Sequence, residues 1–301
     1  MNVDARNPVA VSPQRRSFAL PDGDLSYLDW GGPAGAPRMV MSNANGFNAN
    51  TYRQLLTPVS GQLRIQAVDA RGHGFSTATA DPQAPLTWNV FRDDLIRFLE
   101  AGEAPCLLVG HSLGATTSLL AAELRPDLVS GVLAVEPVLQ PFLRAWIMRV
   151  KRLLNIPHTA NGLVEGAMKR RAVFASREAI FKSYSGRGAF ASWPEQVLRD
   201  YIDGGARDRA DGQVELSCAP VWEAHIFRSS ATYIWDRLAR IRVPLTIIHG
   251  TENSTCSPLV TRRMARLHPS ARIIRIEGAS HFLPMEFPDI VRENILRMSG
   301  V

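Results

Sequence analysis

Residues 105–120 constrain this chain more than any other stretch. An apolar run at 106–109 meets Gly110-His111-Ser112-Leu113-Gly114 and passes into a second apolar segment through Ala115, Leu119 and Leu120. Such a pattern folds as strand, sharp turn and helix, and a serine at the apex of the turn holds its hydroxyl out over the edge of a sheet. Glycine at 110 and 114 leaves room for neighbouring backbone to close on the turn. The N–H of Leu113, opening the helix, then faces any oxyanion formed at Ser112. The arrangement points to acyl transfer with Ser112 as nucleophile, and the flanking strand and helix separate it from a chance Gly-x-Ser-x-Gly.

At 301 residues the chain is long for one ordinary domain, so one large α/β domain or a core with an inserted subdomain is expected. Its hydrophobic fraction is 46% and its charged fraction 21%. No segment approaches the ~18 consecutive apolar residues of a membrane span. The first 16 residues are polar and end in two arginines with no apolar run behind them. A secretory signal is therefore not expected, and a cytoplasmic location is. Cys106, Cys218 and Cys256 are scattered and odd in number, which fits reduced thiols. None has metal-ligand spacing, and no Gly-x-Gly-x-x-Gly or phosphate loop occurs, so neither metal nor cofactor is expected. The net charge is +6, carried by arginine with only Lys151, Lys169 and Lys182 as lysines. No dense basic run interleaved with aromatics marks a nucleic-acid groove. A small molecule is the expected partner.

Along the chain, 16–20 and 25–30 read as two strands joined by the turn sequence Pro21-Asp22-Gly23-Asp24, after a loose arm over 1–15. Further strands are expected at 38–43, 63–68, 129–135, 244–249 and 271–276. Apolar residues at 91, 95, 98 and 99 predict a helix over 88–101, with Asp93 and Asp94 near its start where carboxylates suit the helix dipole. A closing helix is expected over 288–298. Asp69 and His73, in Asp69-Ala70-Arg71-Gly72-His73-Gly74, read as parts of a structural turn. Residues 140–240 hold 12 of the chain's 23 aromatics and 16 basic against 10 acidic residues, and they show no strand alternation. Helices such as 141–154 and 194–202 are expected there, with some aromatics lining an apolar pocket.

Taken together, Asn45-Gly46-Phe47, Asp69-x-Arg71-Gly72-His73-Gly74-x-Ser76, Gly110-His111-Ser112-Leu113-Gly114, His249-Gly250 and Gly278-Ala279-Ser280-His281-Phe282-Leu283-Pro284-Met285-Glu286-x-Pro288 make the chain resemble the α/β-hydrolase fold family. The resemblance implies a mostly parallel eight-stranded sheet flanked by helices, with an α-helical cap inserted after the sixth strand. The core would be 1–139 and 237–301 and the cap 140–236. It also implies that the base follows the acid near the C-terminus, so His281, in the loop after the last strand, is the expected base. Asn45-Gly46-Phe47 stands where the fold usually carries His-Gly-x, which makes Phe47 the expected second oxyanion donor beside Leu113.

The acid departs from the commoner pattern. After the strand ending His249-Gly250, the usual aspartate position is Asn253, and an amide has no charge to stabilise an imidazolium. The strand before the cap ends in Val135-Glu136-Pro137, and a carboxylate on so apolar a strand is costly unless paired. Glu136 is therefore the expected acid, with Glu252 as the other candidate. The function expected is a serine hydrolase cleaving carboxylic esters or related acyl bonds of small to medium apolar substrates through an acyl-enzyme. Acyl transfer to another alcohol, thioester cleavage and carbon–carbon bond hydrolysis use the same triad. A catalytically silent ligand-binding protein is the alternative from another class.

Overall fold

The computed structural model describes residues 11–154 and 162–301, and the strand leading to Ser112 lies at the middle of its main sheet. Cys106–His111 is buried along its whole length. A parallel strand covered by helices on both faces needs such an unbroken apolar sequence. In chain order the strands are β1 (Gln14–Leu20), β2 (Gly23–Gly31), β3 (Arg38–Ser42), β4 (Arg64–Val68), β5 (Cys106–His111), β6 (Val129–Val135), β7 (Val173–Phe174), β8 (Ala206–Asp208), β9 (Val214–Leu216), β10 (Leu245–Gly250) and β11 (Arg272–Ile276). Eight of them form one sheet in the order β1-β2-β4-β3-β5-β6-β10-β11. The β1–β2 and β2–β4 pairings are antiparallel, and the rest are parallel. The expected β1–β2 hairpin pairs from Gln14–Asp29 to Leu20–Gly23.

Alternation along the central strands divides the core in two. Leu107, Val109, Leu133 and Val135 face one layer with Val291 and Ile295 of the helix Pro288–Ser299. Leu108, Val132 and Ala134 face the other, with Leu119 and Leu120 of the helix Leu113–Leu124 and Leu95 and Leu99 of the helix Asn89–Glu100. The helix Leu113–Leu124 is buried on nearly every side, the position its uniformly apolar sequence requires. Asp94 is not a first-turn dipole partner as the sequence had implied. The helix begins at Asn89, and Asp94 is buried in a bidentate pair with Arg71 at 2.7 and 2.9 Å.

From β3 the chain turns back to β4 on one side, whereas from β5 it continues to β6 on the other. Ligand crevices open at the carboxyl ends of strands where connections diverge in this way. The loop after β3 and the turn carrying Ser112 both emerge there. A Cβ on Gly110 would stand 2.4 Å from the Gly114 carbonyl oxygen, and one on Gly114 would stand 2.2 Å from that of Ser42. Strand, turn and helix are thus packed backbone to backbone.

Between β6 and β10 lie the helices Phe142–Leu153, Gly162–Met168, Arg177–Tyr184, Glu195–Gly205, Pro220–Arg228 and Ile234–Leu238. This segment also holds an antiparallel sheet in the order β7-β9-β8, which departs from the purely α-helical insert expected over 140–236. Its strands are two or three residues long, too short for period-two alternation to register. The β8–β9 hairpin closes through Gly212, at φ +79°.

Gly114→Ala is expected to lower stability by roughly 1–3 kcal/mol, because backbone atoms must move to admit the methyl. Gly166→Ala, in a helix with nothing near the added methyl, is expected to raise it by about 0.5–1 kcal/mol. Urea denaturation of the two variants reads the contrast, and equal effects would contradict it.

Candidate active site

Ser112 sits at φ +56°, ψ −112°, a left-handed conformation that costs a side chain about 1–3 kcal/mol. Its surroundings hold it there. The Ser112 N–H donates to the Val135 carbonyl at 3.0 Å, and the Gly114 N–H donates to that of Asn43 at 3.1 Å. The strained residue is thereby tied to β6 on one side and to the loop after β3 on the other.

His281 comes from the loop after β11, and its Nε2 lies 3.0 Å from Ser112 Oγ while its Nδ1 lies 3.0 Å from Glu136 Oε2. With Nδ1–H donated to the carboxylate, Nε2 is free to accept the serine proton. Glu136 is fully buried. Its carboxylate accepts from the Gly250 N–H at 2.6 Å, the Ser254 hydroxyl at 2.7 Å and the Thr255 N–H at 3.0 Å. Burial pushes its pKa up, but the hydrogen bond and charge of His281, the Gly250 amide and the Ser254 hydroxyl outweigh it and hold the group at about 2. Glu252, the other candidate acid, is exposed, as is Asn253. The structure therefore brings Ser112, His281 and Glu136 together and leaves Glu252 out.

Phe47, the expected second oxyanion donor, lies in a tight turn after β3. Its N–H donates to the Ala44 carbonyl at 3.1 Å, closing a four-residue turn whose third position is Gly46 at φ +76°. A glycine with positive φ at that position is the mark of a type II turn, in which the fourth residue's amide is consumed. The N–H of Asn45, second in the turn, has no acceptor among the described residues. The Asn43–Gly114 hydrogen bond ties the turn to the elbow, where the Leu113 N–H likewise has no acceptor among the described residues. The Phe47 ring lies against Trp193 at 5.3 Å, His111 at 5.7 Å and Phe282 at 6.1 Å.

Several supports escaped the sequence reading. The Ala44 N–H donates to Tyr52 Oη at 2.9 Å, the Tyr52 hydroxyl lies 3.0 Å from His111 Nδ1, and His111 Nε2 lies 2.8 Å from the His281 carbonyl oxygen. A carbonyl only accepts, so His111 carries its proton on Nε2 and Tyr52 donates to Nδ1. Burial, with the nearby His281, lowers the His111 pKa to about 3, so it stays neutral. His73 has the structural part expected of it. Buried and pushed down to about 4, it donates from Nδ1 to the Arg71 carbonyl and accepts from the Gly46 N–H at 3.0 Å. Glu286 accepts from the Ser280 N–H and hydroxyl at 2.8 and 2.7 Å, next to His281, and from the Ser192 hydroxyl at 2.6 Å. The segment between β6 and β10 closes on the site through that last bond, through Asn48 Nδ2 to the Tyr201 carbonyl at 2.9 Å and through Asn45 Nδ2 to the Glu223 carbonyl at 3.1 Å. Among the described residues no group of three or more His, Cys, Asp or Glu is arranged to hold a metal ion. No helix among them is long and apolar enough to cross a membrane.

A carboxyl held at about 2 in the fold against an ordinary value of 4.5 favours the folded state whenever it is charged. That stabilisation is fully present above about 4.5 and is lost as pH falls through about 2. The stability difference between the wild type and Glu136→Gln is accordingly expected to be constant from about pH 5 to 7 and to narrow in that acidic window. Urea titrations across the range measure it, and a difference that stays flat down to about pH 2 contradicts the assignment.

A family model described as "Alpha/beta hydrolase family" matches residues 39–294. The 2-(acetamidomethylene)succinate hydrolase of Mesorhizobium japonicum is 26% identical over 262 residues, covering 86% of each chain. The esterase Rv0045c of Mycobacterium tuberculosis is 33% identical over 273 residues, 88% of this chain and 83% of that one. Among solved structures, E-2-(acetamidomethylene)succinate hydrolase superposes with a TM-score of 0.77 at 23% identity, over 96% of this chain and all of that one. The thioesterase domain from the curacin biosynthetic pathway gives 0.75 at 18%, over 95% and 99%. With its eight-stranded sheet, its serine turn after β5 and a family match across most of its length, this chain belongs to the α/β-hydrolase family.

Proposed function

We propose that the protein is a serine hydrolase that cleaves carboxylic esters or related acyl bonds through an acyl-enzyme. The observation that carries the reading is the unbroken line of 3.0 Å contacts from Ser112 Oγ to His281 Nε2 and from His281 Nδ1 to the charged, buried Glu136. Hydrolase and esterase relatives across most of the chain support the same reaction class.

Ser112 Oγ attacks the carbonyl carbon while its proton passes to His281 Nε2, and the carbonyl π pair moves onto oxygen. Glu136 stabilises the imidazolium and holds the ring in register. The N–H groups of Asn45 and Leu113 receive the oxyanion. On collapse, His281 returns the proton to the leaving group and the acyl chain remains on Ser112. Water then repeats the cycle, giving its proton to His281 and its oxygen to the acyl carbon, and Ser112 is released. The segment between β6 and β10 acts as a cap. Phe47, Trp193, Tyr201 and Phe282, in mutual ring contact, form an apolar wall for the substrate, each buried methylene being worth ~0.8 kcal/mol.

Ser112→Ala is expected to abolish fluorophosphonate labelling and to reduce ester turnover by ~10⁴-fold or more. Glu136→Gln should lose up to ~10⁴-fold and Glu252→Gln little, with kcat on a chromogenic ester as the readout. Labelling of Ser112→Ala at the wild-type rate would end the proposal. The oxyanion assignment has its own test in Asn45→Pro, since proline suits the second position of a type II turn but has no N–H. A kcat loss of about 10²–10³-fold is expected there. Asn45→Ala, which keeps the amide, should lose much less.

A further inference from the structure

Resting on that reading of Ser112, we propose that Arg170, with the Tyr184 hydroxyl and the Trp193 indole N–H, receives a carboxylate of the substrate. The preferred substrate is then a short acyl compound bearing an anionic group as well as the bond that is cleaved. The location is given by Gly46. A Cβ there would stand 2.7 Å from Glu223 Oε1 and 3.6 Å from Arg170 Nη1, so the guanidinium lies against the turn whose preceding residue, Asn45, offers the free amide. At ~3.8 Å per residue, one or two residues of chain separate the cation from the oxyanion position.

Several donors gather at this place. Arg170 Nη1 donates to Glu223 Oε2 at 2.8 Å, while Nε and Nη2 have no acceptor among the described residues. Tyr184 Oη and Trp193 Nε1 are buried and have no hydrogen-bond partner among the described residues. All three side chains border one aromatic cluster. The guanidinium lies 5.9 Å from the Tyr184 ring, Tyr184 stacks on Phe190 at 4.7 Å, and Phe190 meets Trp193 at 5.0 Å. Trp193 in turn meets Phe47 at 5.3 Å and Phe282, beside His281, at 5.8 Å. The cluster therefore runs from the reacting centre to the cation.

A buried donor left without an acceptor costs about 1–3 kcal/mol. An indole N–H can only donate, so what relieves it, beside the open edge of a guanidinium, is an acceptor-rich group. A carboxylate has two oxygens and about four lone-pair sites, and its planar fork matches a guanidinium. Glu223 holds the guanidinium in place without using its remaining edge. The pair itself is neutral, but residues 140–240 carry 16 basic against 10 acidic residues, a field that draws anions toward the site.

The test compares p-nitrophenyl hemisuccinate with p-nitrophenyl butyrate, acyl groups of equal length that end in a carboxylate and a methyl. Wild-type kcat/KM is expected to favour the hemisuccinate by about tenfold or more, mainly through KM. Arg170→Gln should bring the ratio to one or below. Glu223→Gln, which removes a competing carboxylate, should keep or raise it. A wild-type preference for butyrate overturns the proposal, as does an equal drop of the ratio in both variants, which would mark the ion pair as merely structural. Calorimetric binding of succinate to Ser112→Ala gives a readout without chemistry. Binding that Arg170→Gln or Arg170→Lys weakens by about tenfold supports the site, and no binding overturns it. If the wild type turns over neither ester, the Ser112 reading fails, and the succinate measurement still decides this one.

Discussion

The hydrogen bond between His281 Nδ1 and the buried carboxylate of Glu136 is the interaction on which the rest of the site depends. A charge on a fully buried strand end is prohibitive unless every lone pair is engaged. The fold engages them with the Gly250 amide at the end of β10 and the Ser254 hydroxyl from the loop after it on one oxygen, and with Thr255 and His281 on the other. Once the carboxylate is fixed, the imidazole has one orientation and one tautomer, and Nε2 faces Ser112. Removing Glu136 leaves donors without an acceptor as well as a ring without an anchor.

The loop after β10 has changed its part accordingly. Where the commoner pattern has an acid, this chain has Asn253, exposed and at φ +52°, and the residues around it, Gly250, Ser254 and Thr255, supply donors. A carboxylate at the end of β6 needs a donor-bearing neighbour, and β10 pairs directly with β6. The two departures in sequence, an amide after β10 and a glutamate after β6, are thus two sides of one hydrogen-bonded cradle. Glu136 itself stands at φ +50°. The strain is local, and the hydrogen bonds that engage the carboxylate are what hold it.

Much of this was legible in the sequence because the decisive signals are short-range. An apolar run of strand length, a turn with glycines at fixed offsets and a helix predict the order of β5, Ser112 and Leu113–Leu124 by sterics alone. The apolar run ending in Glu136 marks a carboxylate that needs a partner. What escaped depends on contacts that periodicity does not encode. The bond from the Phe47 amide to Ala44 was not foreseen because the turn's register, with Gly46 third, decides which N–H it engages. Asn-Gly as second and third residues was the available signal. The β7-β9-β8 sheet was missed because two- and three-residue strands carry no alternation. Tyr52 and His111 are 59 residues apart in the chain and meet only once β3 and β5 are side by side.

That last pair links parts of the site that sequence treats as separate. From the Ala44 amide through Tyr52 and His111 to the His281 carbonyl, hydrogen bonds of 2.8 to 3.0 Å join the turn that carries Asn45 to the loop that carries His281. His111 can bridge them because burial keeps it neutral, with one nitrogen accepting and the other donating. A charged imidazole would have two donors and would strand the tyrosine hydroxyl's proton against another. The variable position of Gly-x-Ser-x-Gly therefore does more here than fill space beside the serine. From the end of β5 it links the turn after β3, whose amide would receive developing negative charge, to the loop after β11, whose imidazole would take the proton.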